Sequence, residues 1–167
     1  GGNASIQWSD PIANTAESPE KNSILQHLQL SNLPGASVFT QSQRLIEEAY
    51  GLLGLRYRYG GTSPTTGMDC SGLVQYVFRQ ALNISLPRTA AEQSRVGKPI
   101  AITDLQAGDL VFFNTMRRSF SHVGIYIGAG QFIHAPRSGK RIQITSLSNS
   151  YFNARFQGAR RVIDEEN

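Results

Sequence analysis

The sequence predicts an α+β domain in which helices come first and a central antiparallel sheet follows. Three observations carry this. Apolar residues recur at three- and four-residue spacing in two segments ahead of residue 83. Beyond residue 108 the pattern changes to short β-branched or aromatic runs, "GDLVFFNT", "SHVGIYIG", "GQFIHAP", "RIQIT" and "RFQGARRVI". Those runs follow one another with only Gly-, Asn-, Ser- or Pro-containing turns between them, which joins neighbours antiparallel.

Residues 1–36 are rich in Asn, Ser, Pro, Gly and Gln and read as a flexible tail or strap, interrupted by the amphipathic "KNSILQHLQL". His27 lies there with no chemical neighbours. Residues 37–167 form the domain, long enough for a hydrophobic core. From Thr40, "TQSQRLIEEAYGLLG" reads as a helix with Leu45, Ile46, Ala49, Leu52 and Leu53 on one side. "LRYRYGGTSPTTGMD" is a loop, and not a phosphate loop, since no Gly-Lys-Ser/Thr closes it. A second helix starts after Asp69, its apolar side formed by Leu73, Val74, Val77, Phe78, Ala81 and Leu82. "SLPRTAAEQSRVG" is a loop with one helical turn.

Composition narrows the function. No segment approaches the roughly 20 apolar residues of a membrane span or has a signal-peptide core. The opening "GGNAS", without an initiator Met, reads as a trimmed chain. Net charge is +4 at pH 7, and no acidic residue falls between Asp109 and Asp164. Arg117, Arg118, Arg137, Lys140, Arg141, Arg155, Arg160 and Arg161 all lie in that interval, a positive surface suited to an anionic partner. Neither an RNA-binding aromatic motif, a zinc finger nor a long basic helix accompanies them, so nucleic acid is not the expected partner.

Cys70 is the only cysteine, so there is no internal disulfide. On the apolar side of its helix it could be inert core filling. Three features argue for a nucleophile. Asp69 as N-cap puts the thiol in the first turn, where free N–H groups and the helix dipole lower its pKa. Ser71 and Gly72 are weak helix formers. Gly72 also leaves space beside the sulfur for a substrate. A thiol nucleophile needs a base and a group that orients it. His122 and His134 flank the turn Gly128-Ala129-Gly130. If that turn uses three residues, even-numbered side chains of both strands share a face and the two rings become diagonal neighbours; a two-residue turn separates them. The same three residues could instead hold a catalytic zinc, although no Cys-x-x-Cys or His-x-x-x-His spacing supports it.

"YRYGGTSPTTGMDCSGLVQYVF", "LPRTAAEQ", "LQAGDLVFF", "SHVGIYIGAGQFIHAP" and "RFQGARRVI" together resemble the NlpC/P60 family of bacterial cell-wall cysteine peptidases, from about Thr40 to Ile163. Within it the likeness is greatest to small single-domain murein endopeptidase lipoproteins. The resemblance implies a papain-like fold with the N-terminal helices packed on the sheet. It implies Cys70 as nucleophile, His122 as base, His134 as the residue that orients it, and Tyr59 of "RYGG" as an oxyanion stabiliser. It implies hydrolysis of peptidoglycan stem peptides, at D-Glu–diaminopimelate or D-Ala–diaminopimelate bonds, through a thioester and with no metal or organic cofactor. Arg88, Arg117, Arg118 and Arg137, with Asp69 and Ser71, are the candidate substrate contacts. A monomer in the periplasm or cell envelope follows, with association to the outer membrane through a lipid anchor missing from this chain. Three rivals keep the same residues: a wall-binding or adaptor module without turnover, a thioester acyltransferase, and the zinc hydrolase.

Overall fold

A computed structural model describes residues 40–163; the predicted tail, including His27, lies outside the described residues. Helix α1 (Gln41–Tyr50) opens on a capping box, in which Gln43 N–H donates to Thr40 Oγ1 and Thr40 N–H to Gln43 Oε1. The "GLLG" that follows forms turns and does not prolong the helix, with Gly54 at φ +88°.

The loop read as irregular holds a small antiparallel hairpin, β1 (Thr62–Ser63) and β2 (Gly67–Met68). It delivers the chain into α2 (Cys70–Leu82), which ends at Asn83 in the left-handed conformation. The helical turn expected in the next loop is α3 (Ala90–Gln93), capped by Thr89 and Glu92.

The sheet is built from β3 (Lys98–Ile100), β4 (Leu110–Phe113), β5 (His122–Gly128), β6 (Gln131–His134) and β7 (Gln143–Ser146), followed after α4 (Ser150–Arg155) by β8 (Phe156–Arg161). The spatial order is β3-β8-β4-β5-β6-β7, with every pairing antiparallel. All five predicted runs are strands. The sequence reading missed β3, short, carrying Pro99 and at the sheet edge, where a missing N–H is tolerated.

Two cores separate the faces of the sheet. On one, Leu45 and Ala49 of α1 and Leu73, Val74, Val77 and Phe78 of α2 pack with Val123, Ile125 and Ile133. Burial of such side chains contributes about 1.5–3 kcal/mol each, and this anchors the start of α2 against β5. On the other face Val111, Phe113, Phe132 and Ala159 are covered by Phe152 and Phe156. The helix carrying Phe152 was also missed: six residues, "SYFNAR", with two adjacent aromatics, give no helical period to read.

Candidate active site

The hairpin register decides whether the two histidines can meet. Ile125 faces Ile133 and Tyr126 faces Phe132, with a bulge at Gly128 and Gln131. His122 and His134 therefore share the even-numbered face, although by another route than the three-residue turn expected: only Ala129 and Gly130 separate the strands, and the bulge restores the register that a plain two-residue turn would have lost. Their rings meet directly, His122 Nε2 lying 2.8 Å from His134 Nδ1 at an interplanar angle of 75°. His134 Nε2 continues to Thr145 Oγ1 of β7, also at 2.8 Å. Two sets of neutral tautomers satisfy the row, because the Thr145 hydroxyl can accept or donate. In one of them His122 Nε2–H donates to His134 Nδ1 and His134 Nε2–H donates to Thr145, which leaves His122 Nδ1 unprotonated.

Gly124 makes this approach feasible. It lies between His122 and Tyr126 on the same face, and a Cβ there would come 2.7 Å from the Phe132 ring and 3.2 Å from His134 Cβ. Phe152 closes the other side, its ring 4.9 Å from that of His134 and 5.8 Å from that of His122. Both histidines are consequently buried. Burial pulls the His122 imidazole down to about 4, and His134 falls well below its usual value through burial first and the neighbouring His122 second. Both rings are neutral at pH 7.

Cys70 occupies the first position of α2, half-buried, with Sγ 3.9 Å from Ser121 O and the Val123 N–H directed toward it. The thiol thus sits against the backbone on either side of His122. Asp69 caps the helix as expected, accepting from Gly72 N at 2.7 Å. It also accepts from Ser71 Oγ at 3.4 Å and from Arg88, whose Nη1 and Nη2 reach the two carboxylate oxygens at 3.1 and 2.8 Å, while Nη1 also donates to Ser71 Oγ at 2.8 Å. The three candidate residues Asp69, Ser71 and Arg88 form one cluster that braces the turn holding the thiol.

Four expectations change. The helix start does not set the thiol's pKa: burial pushes it up to about 11, outweighing the Val123 N–H and the Ser71 N–H of the first turn, and the Asp69 charge adds to the rise. Nor does Gly72 open space for substrate. A Cβ there would meet Gly61 O at 2.2 Å, so the glycine admits the preceding loop instead. Tyr59 is 86% exposed and no described hydrogen bond holds it. Tyr57 is the tyrosine packed against the core, and its hydroxyl, raised in pKa mainly by burial, feels the charge of Cys70, Asp69 and Arg88. Alternation along "YRY" turns Tyr57 inward, and only the side-chain environment could have told it from Tyr59. Arg117 and Arg118 lie exposed in the 114–121 loop, with Arg117 at φ +56°, and neither lines the cavity beside His134.

Arg137 does reach the site. With Lys140, Thr115, Met116 and Tyr151 it lines a cavity of about 390 Å³ that borders His134. Lys140 was read only as part of the basic surface, and Thr145, Tyr57 and Gly124 were not singled out as site residues from sequence. Only the last had a readable signal, its place between two residues of the histidine face. The zinc reading fits poorly, because the nitrogens His122 and His134 turn toward each other cannot both point at one ion. Among the described residues no three His, Cys, Asp or Glu side chains form a metal-holding group.

Comparison with known proteins agrees with this architecture. The chain is 51% identical over 114 residues to murein DD-endopeptidase MepH of Escherichia coli, covering 66% of this chain and 42% of that protein. It is 48% identical over 118 residues to gamma-DL-glutamyl hydrolase of Bacillus subtilis, covering 70% of this chain and 28% of that protein. The chain thus spans less than half the length of either relative. A crystal structure of an NlpC/P60 family protein from Bacillus cereus superposes with a TM-score of 0.70 at 36% identity, covering 74% of this chain and 40% of that one. The NlpC/P60 family pattern matches residues 54–161, which takes in Tyr57, Cys70, His122, His134 and Thr145, and the chain belongs to that family.

Proposed function

We propose that this chain is a cysteine peptidase that hydrolyses stem-peptide bonds of peptidoglycan through a Cys70–His122–His134 triad. One observation carries the reading: His122, His134 and Thr145 form one hydrogen-bonded row, engaging His122 through Nε2, on the strand segment whose backbone touches Cys70 Sγ, and the tautomer in which both rings donate from Nε2 has Nδ1 able to take a proton.

With the thiol raised and the imidazole depressed, the resting pair is neutral, and proton transfer accompanies attack. Cys70 Sγ bonds to the scissile carbonyl carbon as its proton passes to His122 Nδ1, and the carbonyl π electrons move to oxygen. Backbone N–H groups at the start of α2 and the Tyr57 hydroxyl, in place of Tyr59, hold that oxyanion. The carbonyl re-forms, the C–N bond breaks, and His122 gives its proton to the departing amine. A water, deprotonated by His122, then attacks the thioester and releases the acid and the thiol. His134 contributes orientation, keeping Nδ1 free. Asp69, Ser71 and Arg88 hold the nucleophile's turn, with Ser71 and Arg88 at the edge of the acyl side.

The names of the relatives, a murein DD-endopeptidase and a gamma-DL-glutamyl hydrolase, support a murein peptide bond or a gamma-glutamyl bond; within stem peptides we assign this to the bonds of diaminopimelate, with D-Ala or with D-Glu. Free carboxylates on those peptides suit Arg137 and Lys140 in the cavity beside His134. Such a substrate places the protein in the bacterial cell envelope; a periplasmic monomer held by a lipid anchor is the form we propose. Mass spectrometry of muropeptides before and after incubation tests the reaction. New fragments carrying a free diaminopimelate amine are expected with the wild-type chain and none with Cys70→Ser; equal fragments from both would overturn the assignment.

A further inference from the structure

The loop that delivers Cys70 has a second side. Around Tyr57 the chain is extended, its segment paired in parallel with Met68 and in antiparallel with residue 141. Alternation turns Tyr57 toward the thiol and sends Arg56 and Arg58 to the opposite side. There, with Arg141, they line a cavity of about 430 Å³ whose other walls include Thr65, Thr66 and Gly67. Gly67 forms its tight floor: a Cβ would come 2.7 Å from Arg58 Cβ, at φ +115°.

Two features mark this cavity as more than a solvated face. Arg56 and Arg141 stand directly opposite each other across the bridge, a like-charge pairing that disfavours the fold. Among the described residues no carboxylate relieves it. The described ion pairs are Arg88–Asp69 and Arg161–Asp109, and no acidic residue lines the cavity. Arg141 spends one N–H on Gly54 O at 3.0 Å, which fixes its guanidinium and leaves its remaining donors available. Three arginines and two threonines lining one cavity with no acidic residue in its walls form a receptor for an oxyanion.

The geometry points to an oxyanion-binding exosite formed by Arg56, Arg58 and Arg141 on the back of the catalytic loop, which takes a carboxylate or phosphate group of the wall polymer outside the bond being cut. Only the identity of the polymer rests on the peptidase reading; the oxyanion chemistry stands on the three arginines alone.

The experiment uses the full chain carrying Cys70→Ser, so that no step depends on turnover. Guanidinium ¹⁵N–¹H resonances are followed while citrate or inorganic pyrophosphate is added. Coincident, saturable shifts of Arg56, Arg58 and Arg141 are expected; no shift with either probe, or shifts confined to other arginines, overturns the site. In a second arm the same chain and its Arg56→Gln/Arg58→Gln/Arg141→Gln derivative are co-sedimented with intact sacculi at low salt. Loss of three exposed charge contacts should weaken sedimentation about ten-fold. The corresponding triple Lys variant should recover part of it, which separates lost charge from lost folding. Sacculi stripped of phosphate polymers distinguish the sources. A ten-fold difference that persists on stripped sacculi assigns a carboxylate, and one that vanishes assigns a phosphate. Equal sedimentation of the two chains on unstripped sacculi overturns the proposal. Failure of the peptidase reading would appear in the muropeptide assay and leave both arms unchanged.

Discussion

Thr145→Val removes one oxygen and tests the whole histidine row. In the tautomer that leaves His122 Nδ1 free, Thr145 Oγ1, 2.8 Å from His134 Nε2, accepts the last hydrogen bond, and Val has the same shape without the acceptor. A buried donor left without a partner costs about 1–3 kcal/mol. Thr145 is only half-buried and borders the cavity beside His134, where water can replace part of the bond, so the lower half of that range applies. His134 can escape the cost by moving its proton to Nδ1. His122 Nε2 must then accept, and its own proton moves to Nδ1, the position that has to receive the thiol proton. The row converts a peripheral loss into the wrong tautomer at the base. We expect kcat/KM on a soluble muropeptide to fall about ten-fold, equivalent to ~1.4 kcal/mol. Thr145→Ser should restore it, and ¹⁵N shifts of the His122 ring should report the exchanged proton. A Val variant with wild-type kcat/KM and an unchanged His122 tautomer refutes the reasoning.

Gly124→Ala drives a methyl toward the Phe132 ring and His134 Cβ, so it should lower stability by about 1–3 kcal/mol in a denaturant titration and reduce kcat more than it raises KM. Stability should depend on pH through the buried rings. Unfolded histidines take up protons near 6.5, whereas His122 resists until about 4, so between those values the unfolded chain binds more protons and stability rises with pH. On this account full stability holds above pH 6.5, and about 3 kcal/mol from His122 alone disappears as the pH falls toward 4, a loss that His122→Gln should diminish in thermal melts. Asp69→Ala should cost about 1 kcal/mol for the cap and leave Arg88 without its carboxylate, while Asp69→Asn should recover the cap but not the ion pair. Thermal melts of the two variants separate those contributions; identical midpoints would mean the cap contributes nothing measurable.

The elements with strong period or firm punctuation were legible in the sequence. Asp69 before an apolar stripe marked the start of α2, and Gly-Ala-Gly between two alternating runs marked the β5–β6 hairpin. The face shared by His122 and His134 was legible from side-chain alternation, but the bulge that secures it was not. What escaped depended on surroundings that sequence does not express. Tyr57 and Tyr59 are the same residue type two positions apart, with one neighbour between them, and only packing separates them. The direction of the thiol's shift escaped because a helix dipole can be read from an N-cap, whereas burial against Ser121 and β5 is set by tertiary packing. Those residues come from a distant part of the chain. Helix α4 is six residues long, and its reason for being helical is the Phe113–Phe132 surface beneath Phe152.

The position of β8 bears on how such a chain is made. The final strand in sequence is not at an edge; it seats between β3 and β4. During N-to-C-terminal synthesis the thiol, both histidines and Thr145 all emerge before it. Until residues 156–161 arrive, β3 has no neighbour and β4 offers an open edge. Helix α4, which closes the aromatic wall over the histidines, is covalently joined to that same strand. Assembly of this face is therefore withheld until residues 156–161 have been made, and a nascent chain that lacks them holds Cys70, His122 and His134 without the strand order that frames them.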